Sequence, residues 1–402
     1  MAEAEYYFIT GDFKYASNLV QKALKVFKDK FPEYHGRIGR AIVEEARVQM
    51  EFGMLDISMA LVDQGMSHYT MVYSGAHYHN ITALLLKSEI LMKSGKVLEA
   101  KSIIESCLTA RRDLFGKANW RTAQSLYYLA TNLFGLGRYA TAQPIFERAV
   151  QLLRRALGFD NMMVAQAMVG LGECYVQNAE YDKAKTTHDN AYSVRVRLTS
   201  HRIAPHKTRG EEDEEDKSNM HPAVAESLGH LAQLHLIHGS YSLALRGFDD
   251  ALAMRRATLG HMHADVAASM HSLGVCYFEQ GEYQEAKQIL ERALKMRKTV
   301  LSADHFHIVD TQFYVARVYQ VQGKLEQASA MYERCLVNQR ISRGSRHAVV
   351  GRVLWSLGDV QNSLGNFDLA RSYFLDSLVI RKSTYGVTIT AAPEKDEKGK
   401  KK

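Results

Sequence analysis

Six histidines and two asparagines stand in one register: His35, His77, Asn119, Asn161, His221, His263, His305 and His347. Each step is 42 residues, except the 60 between Asn161 and His221. Imidazoles in series could act as general bases or as zinc ligands. Zinc needs its donors at about 2 Å. Equivalent residues of stacked helical units lie about two helix spacings apart, roughly 16–20 Å, so the series cannot share an ion. The pairs His77/His79, His261/His263 and His305/His307 could each give two ligands, but no third is apparent. No G-x-x-x-x-G-K-[ST], G-x-S-x-G or H-E-x-x-H string occurs. The reading is therefore no enzyme, with no catalytic residue, no cofactor and no metal site. The register fits helix N-caps instead, where Asn is favoured and a short polar ring can bond the first turn.

The elements that place these residues follow from a second register. Eighteen positions on come Gly53, Gly95, Gly137, Ala179, Gly239, Gly281, Gly323 and Gly365, and Gly11 extends the series to nine copies. Small residues recur five and twelve positions after each mark, as Ala286 and Ala293 do after Gly281. Before Gly281, Leu273, Gly274 and Tyr277 share one helical face; after it, Tyr283, Ala286, Ile289, Leu290, Ala293 and Leu294 share another. Each copy thus reads as two helices around a glycine turn. A fixed period of this size marks a solenoid in which each unit buries its apolar face against its neighbours. The first copy is short, with Met1 ten residues before Gly11, and is read as a cap repeat or the continuation of something longer. The second is degenerate, with Ser58 and Gly65 at its small positions.

The order Leu, Gly/Ala, Tyr, Gly, Ala, Phe/Leu, Ala resembles the tetratricopeptide repeat. It fits again at Leu129, Ala130, Gly137, Ala142, Phe146 and Ala149, and at Leu231, Ala232, Gly239, Ala244, Phe248 and Ala251. A 42-residue period, with the strings LGHMHADVA at 259–267, HPAVA at 221–225 and AQPIFERA at 142–149, is similar to kinesin light chains. The resemblance implies an all-α, right-handed superhelical solenoid. Repeats one to five would fill 1–200 and repeats six to nine 221–386, around a charged, disordered insertion at 201–220 and ahead of a disordered basic tail at 387–402. Pro144 falls inside a second helix, where the family tolerates it, and predicts a kink rather than a break.

The insertion carries Glu211, Glu212, Asp213, Glu214, Glu215 and Asp216, a block that repels itself and has nothing to bury. It reads as a tolerated surface loop in preference to an electrostatic gate or docking tag. The net charge of +7 is modest for 402 residues, and no Lys/Arg run interleaves with stacking aromatics, so nucleic acid ranks low as a partner. No apolar run of membrane-spanning length or signal peptide is visible, which predicts a cytoplasmic chain. Cys107, Cys174, Cys276 and Cys335 fall at helical core positions without a C-x-x-C pair, and read as buried thiols.

In tetratricopeptide arrays the first helices line the concave face. That resemblance nominates a partner-binding groove of Tyr127, Thr131, Phe134, Val169, Glu173, His271, Phe278, Phe313, Arg317, Arg352, Trp355 and Asp359. Aromatic and aliphatic anchors would bury a peptide or amphipathic helix, and the charges would set its register. Kinesin light chains hold Asn-Asn where this chain reads Tyr127-Tyr128, Val169-Gly170, Gly229-His230, His271-Ser272, Phe313-Tyr314 and Trp355-Ser356. Their cargo motif is not implied. The Lys/Asn clamp of chaperone-binding repeats and a heptad coiled coil are also missing. The expected function is a non-enzymatic scaffold or adaptor for protein partners, with transport along microtubules, the cytoskeleton and the cilium as candidate settings. The alternative is a regulatory repeat region of a larger nucleotide-switch enzyme or signalling protein.

Overall fold

The structure, a computed structural model, describes residues 1–73, 77–200, 220–303 and 305–385. The acidic block at 211–216 and the tail at 387–402 lie outside them. Eighteen helices form nine antiparallel pairs, and no strand occurs among the described residues. Copies one to three are α1 (Ala2–Thr10) with α2 (Phe13–Lys30), α3 (Gly36–Glu51) with α4 (Leu55–Val72), and α5 (Tyr78–Lys93) with α6 (Val97–Phe115). Copies four to six are α7 (Trp120–Gly135) with α8 (Tyr139–Leu157), α9 (Met162–Gln177) with α10 (Tyr181–Ser200), and α11 (Pro222–Ile237) with α12 (Tyr241–Leu259). Copies seven to nine are α13 (Ala264–Gln280) with α14 (Tyr283–Val300), α15 (Phe306–Val321) with α16 (Leu325–Arg343), and α17 (Ala348–Ser363) with α18 (Phe367–Tyr385). The chain is the all-α solenoid that the period predicts, and α8 runs unbroken through Pro144.

Within a copy, the mark turns the chain. Gly281 adopts φ 95° and its N–H bonds back to Phe278, closing α13. Ala179 takes the same left-handed conformation, φ 61°, and is the one non-glycine residue with positive φ among those described. The small positions let the paired helices touch: Ala16, Ala100, Ala142, Ala184, Ala244, Ala286 and Ala328 are all fully buried. First helices of neighbouring copies meet, α3 with α5, α5 with α7 and α13 with α15, so they form the inner side of the curve.

The histidine register does two things. At each described copy from two to nine, the side chain at this position accepts a hydrogen bond from the backbone N–H two residues on, as His305 Nδ1 does from His307 at 3.1 Å. In copies seven, eight and nine the ring's other nitrogen reaches across the superhelix. His263 Nε2 lies 3.0 Å from the carbonyl of Glu51, His305 Nε2 lies 2.8 Å from that of Lys93, and His347 bonds the carbonyl of Gly135. Because Nδ1 accepts, Nε2 carries the proton and donates. Each target carbonyl is two residues before the mark of the copy five earlier. A Cβ on Gly11 would lie 2.9 Å from the His221 ring, and one on Gly137 would lie 3.0 Å from His347, whereas Gly239, Gly281, Gly323 and Gly365 face open space. Copies six to nine therefore stack on copies one to four, and α18 meets α8 in the same way. The solenoid closes into a superhelix of about five copies per turn.

An arginine, buried at three junctions and half-buried at Arg255, joins certain neighbouring copies. Arg111 Nη1 donates to the Arg121 carbonyl at 2.9 Å and reaches Ser125 Oγ at 3.4 Å. Arg195 bonds the Ala223 carbonyl and Ser227, Arg255 the Asp265 carbonyl and Ser269, and Arg297 the His307 carbonyl and Thr311. All four arginines stand sixteen after their marks, and all four hydroxyls twelve before the next. Where the arginine slot holds Phe27, Tyr69 or Leu153, the hydroxyl slot holds Ala41, Ala83 or Ala167. At these seven junctions the polar pair occurs whole or not at all, as the cost of a buried unpaired partner demands; at the eighth, the slots hold Gln339 and Val353, and Gln339 donates to Asp310 instead.

Candidate functional site

The inner face is built from α3, α5, α7, α9, α11, α13, α15 and α17, and its charges are paired across copies. Lys93 Nζ meets Glu51 at 3.1 Å, Arg195 meets Glu226 at 2.8 Å, and Tyr128 donates to Glu89 at 2.8 Å. Glu51, Glu89, Lys93, Arg195, Glu226 and Arg255 border an open cavity of about 320 Å³. Burial pushes the Glu226 carboxyl up, but Arg195, His230 and Arg255 together outweigh it and bring the group down to about 2. Burial also raises Glu89, so the cavity wall holds two carboxylates of opposite tendency.

The nominated groove residues divide by what covers them. Val169, Phe278 and Phe313 are buried, with Phe313 only 2% exposed. They are core residues rather than free anchors, which corrects that part of the expectation. The physical reason is the neighbouring copy: Phe313 belongs to one cluster with Val350, Val353 and Leu354 of the next first helix. Tyr127 is half-buried against Tyr128 and Phe146, Phe134 against Tyr139, and His271 edge-on to Tyr314 at 5.4 Å. The Thr131 hydroxyl donates to the carbonyl of Tyr127.

Toward the last copies, arginines cover the aromatics. Arg317 stacks over Phe278 at 4.3 Å and Tyr314 at 5.4 Å while its guanidinium pairs with Glu279 at 2.8 Å. Arg352 lies over Phe313 at 4.9 Å, and Arg381 over Trp355 at 5.1 Å. Arg352 and Asp359 are exposed, and Trp355 keeps 50% of its surface. Arg317, Arg352, Trp355 and Asp359 are thus within reach of a ligand. Tyr127, Thr131 and Phe134 sit four to five copies away along the chain.

A tetratricopeptide repeat model matches residues 80–155, 121–195, 221–299 and 308–383. The chain belongs to the tetratricopeptide repeat family. Repeat proteins of this kind are interaction scaffolds and typically non-catalytic. Among solved structures, the chain is similar to a Rap protein complexed with Competence and Sporulation Factor, with a TM-score of 0.60 and 13% identity over 87% of this chain and 99% of that one. The apo form of RapI gives 0.46 at 13% identity, over 87% of this chain and 99% of that one. Kinesin light chain-like repeats of Podosopora anserina give 0.38 at 20% identity, over 55% of this chain and 95% of that one. No curated protein matches. No described helix is long and apolar enough to cross a membrane.

One cluster escaped the sequence reading. Glu173 on α9, His188 on α10 and His230 on α11 bring one ligand atom each to within 4.8 Å of one another. Glu173 Oε1 is 2.7 Å from His230 Nδ1 and 3.7 Å from His188 Nε2, and the two imidazoles lie parallel with centroids 5.0 Å apart. Burial lowers His188 to about 4. His230 is raised instead, because Glu173 and Glu226 together outweigh its burial. The signal was in the register. Nine after the mark stand Val20, Val62, Ile104, Phe146, Phe248, Leu290, Tyr332 and Phe374, and His188 is the one imidazole in that core slot.

Proposed function

We propose that the chain is a non-enzymatic adaptor that takes an extended peptide or helical segment of a protein partner along the last copies of its inner face. The observation that carries this reading is the open run of Arg317, Arg352, Trp355 and Asp359 at the concave rim, where guanidinium groups lie over aromatic rings. Such a surface suits a segment with a carboxylate for Arg352 and a bulky apolar side chain for Trp355. A Rap protein of the same fold, solved with Competence and Sporulation Factor, supports a fold that takes a ligand. A cytoskeletal or ciliary setting rests on the likeness of the 259–267 and 221–225 strings to kinesin light chains. The site is expected to hold no cofactor.

Selection from a random peptide library against the intact protein tests the reading. Enriched peptides are expected to combine an acid with a large apolar residue. They should bind an Arg352→Ala/Trp355→Ala variant at least about tenfold more weakly, the scale of a hot-spot loss. Peptides that bind both proteins equally would place recognition elsewhere on the surface.

A further inference from the structure

We propose that Glu173, His188 and His230 form a binding site for one first-row divalent cation, zinc by preference, at the junction of copies five and six. The argument begins with a misfit. His188 fills a slot that takes an apolar or tyrosine side chain in all eight other copies, and it is fully buried with both ring nitrogens lacking a hydrogen-bond partner. A buried imidazole left that way is unfavourable, so its presence calls for a partner.

A Cβ on Gly172 would lie 2.6 Å from His188 Cε1 and Nε2, the same close packing that Gly274 gives Leu290 and Gly358 gives Phe374, so the imidazole fills the ordinary core slot of the repeat. Next to Gly172 in sequence, Glu173 turns its carboxylate toward both histidines. Two imidazoles and one carboxylate make a donor set that zinc uses with a fourth position left for water or an added ligand. Donors about 2.0–2.1 Å from a tetrahedral ion are roughly 3.3 Å apart. The present separations bracket that value, and Glu173 and His230 are both half-open and can adjust. The neighbouring cation, Arg195, is already paired with Glu226 at 2.8 Å and bonded to Ser227 and the Ala223 carbonyl.

The other histidine pairs do not compete on these terms. His77 and His305 each use Nδ1 to accept from their own helix, and His305 Nε2 is committed to Lys93. The three donors come from three successive helices, two before the 201–220 insertion and one after it. A bound ion would pin the first five copies to the last four.

Isothermal titration of the full-length, chelator-treated protein with Zn²⁺ tests the site, with the visible absorption of added Co²⁺ reporting coordination number. One ion per chain is expected, with a four-coordinate Co²⁺ spectrum and a raised melting temperature. His188→Phe is the decisive variant, because Phe146, Phe248 and Phe374 show that the slot accepts phenylalanine. It should fold, as judged by circular dichroism, and bind Zn²⁺ at least roughly 100-fold more weakly, the upper end of what even outer-shell losses cause. Glu173→Gln should weaken binding without touching the core. The chain has 17 histidines, so adventitious binding is the competing outcome. Absence of saturable one-to-one binding, or binding that both variants retain unchanged, would overturn the proposal.

Discussion

His305 and Lys93 are 212 residues apart in the chain, and the imidazole Nε2 of one sits 2.8 Å from the backbone carbonyl of the other. The same ring caps its own helix through Nδ1. One side chain thus starts a helix and ties it to the turn of the copy five earlier. Asn119 and Asn161 cap as well, but their amides are too short to serve both ends, and they stand in copies with no earlier turn beneath them.

Replacing His305 and His347 by Asn separates the two roles, since Asn keeps the cap. Each lost cross-turn bond should cost about 1 kcal/mol. Local helix content should not change. Hydrogen exchange at the turns around Gly95 and Gly137 should rise, whereas exchange confined to α15 and α17 would mean that the caps alone matter.

The same rings predict acid sensitivity. Burial, with His307 adding to it at one site and Arg343 at the other, lowers His305 and His347 to about 4 from 6.5. Between those values the unfolded chain takes up a proton that the folded chain refuses. The stability is therefore full above pH 6.5 and lost as pH falls toward 4, by at most about 3 kcal/mol for each ring. His188 adds in the same direction. Urea unfolding midpoints measured across this window should drop steadily, and a flat profile contradicts the assignment.

Arg297 donates to the His307 carbonyl and to Thr311 from a nearly fully buried position. Arg297→Leu should cost about 2–4 kcal/mol by stranding those partners. Adding Thr311→Ala reproduces the Leu153/Ala167 junction found three copies earlier and should recover part of the loss. Strict additivity in a urea double-mutant cycle would show that the two positions are uncoupled.

Ala179 holds a left-handed conformation that glycine holds at the other eight marks. Relief of that strain makes Ala179→Gly stabilising by about 0.5–1 kcal/mol, net of the greater entropy of the unfolded glycine chain. A lower melting temperature would show that the Ala179 methyl group contributes more than its backbone costs.

Much of this fold was legible because its period is strict. Gly281, Ala286 and Ala293 locate a turn and two contacts, and repeating them locates the rest. What was not legible depends on the superhelical pitch. Nothing in the spacing of His263 and Glu51 says that five copies make a turn. The burial of Val169, Phe278 and Phe313 was hidden for a related reason. The position of Phe313 follows from the repeat, but its burial follows from how far the next copy rotates over it. His188 is a different case, since its departure from the register of Phe146 and Phe248 is visible in the sequence and passes unnoticed when only the glycine and histidine registers are followed.

The most direct test of the closed superhelix is an electron-spin distance between labels at Arg138→Cys and Arg346→Cys. Both residues border the cavity where copy nine overlies copy four, and the four native cysteines are buried. The account predicts a single short distance, set by two residues on one cavity wall. An unrolled array would separate them by ten helix spacings, roughly 80–100 Å, and a distribution centred there would contradict it.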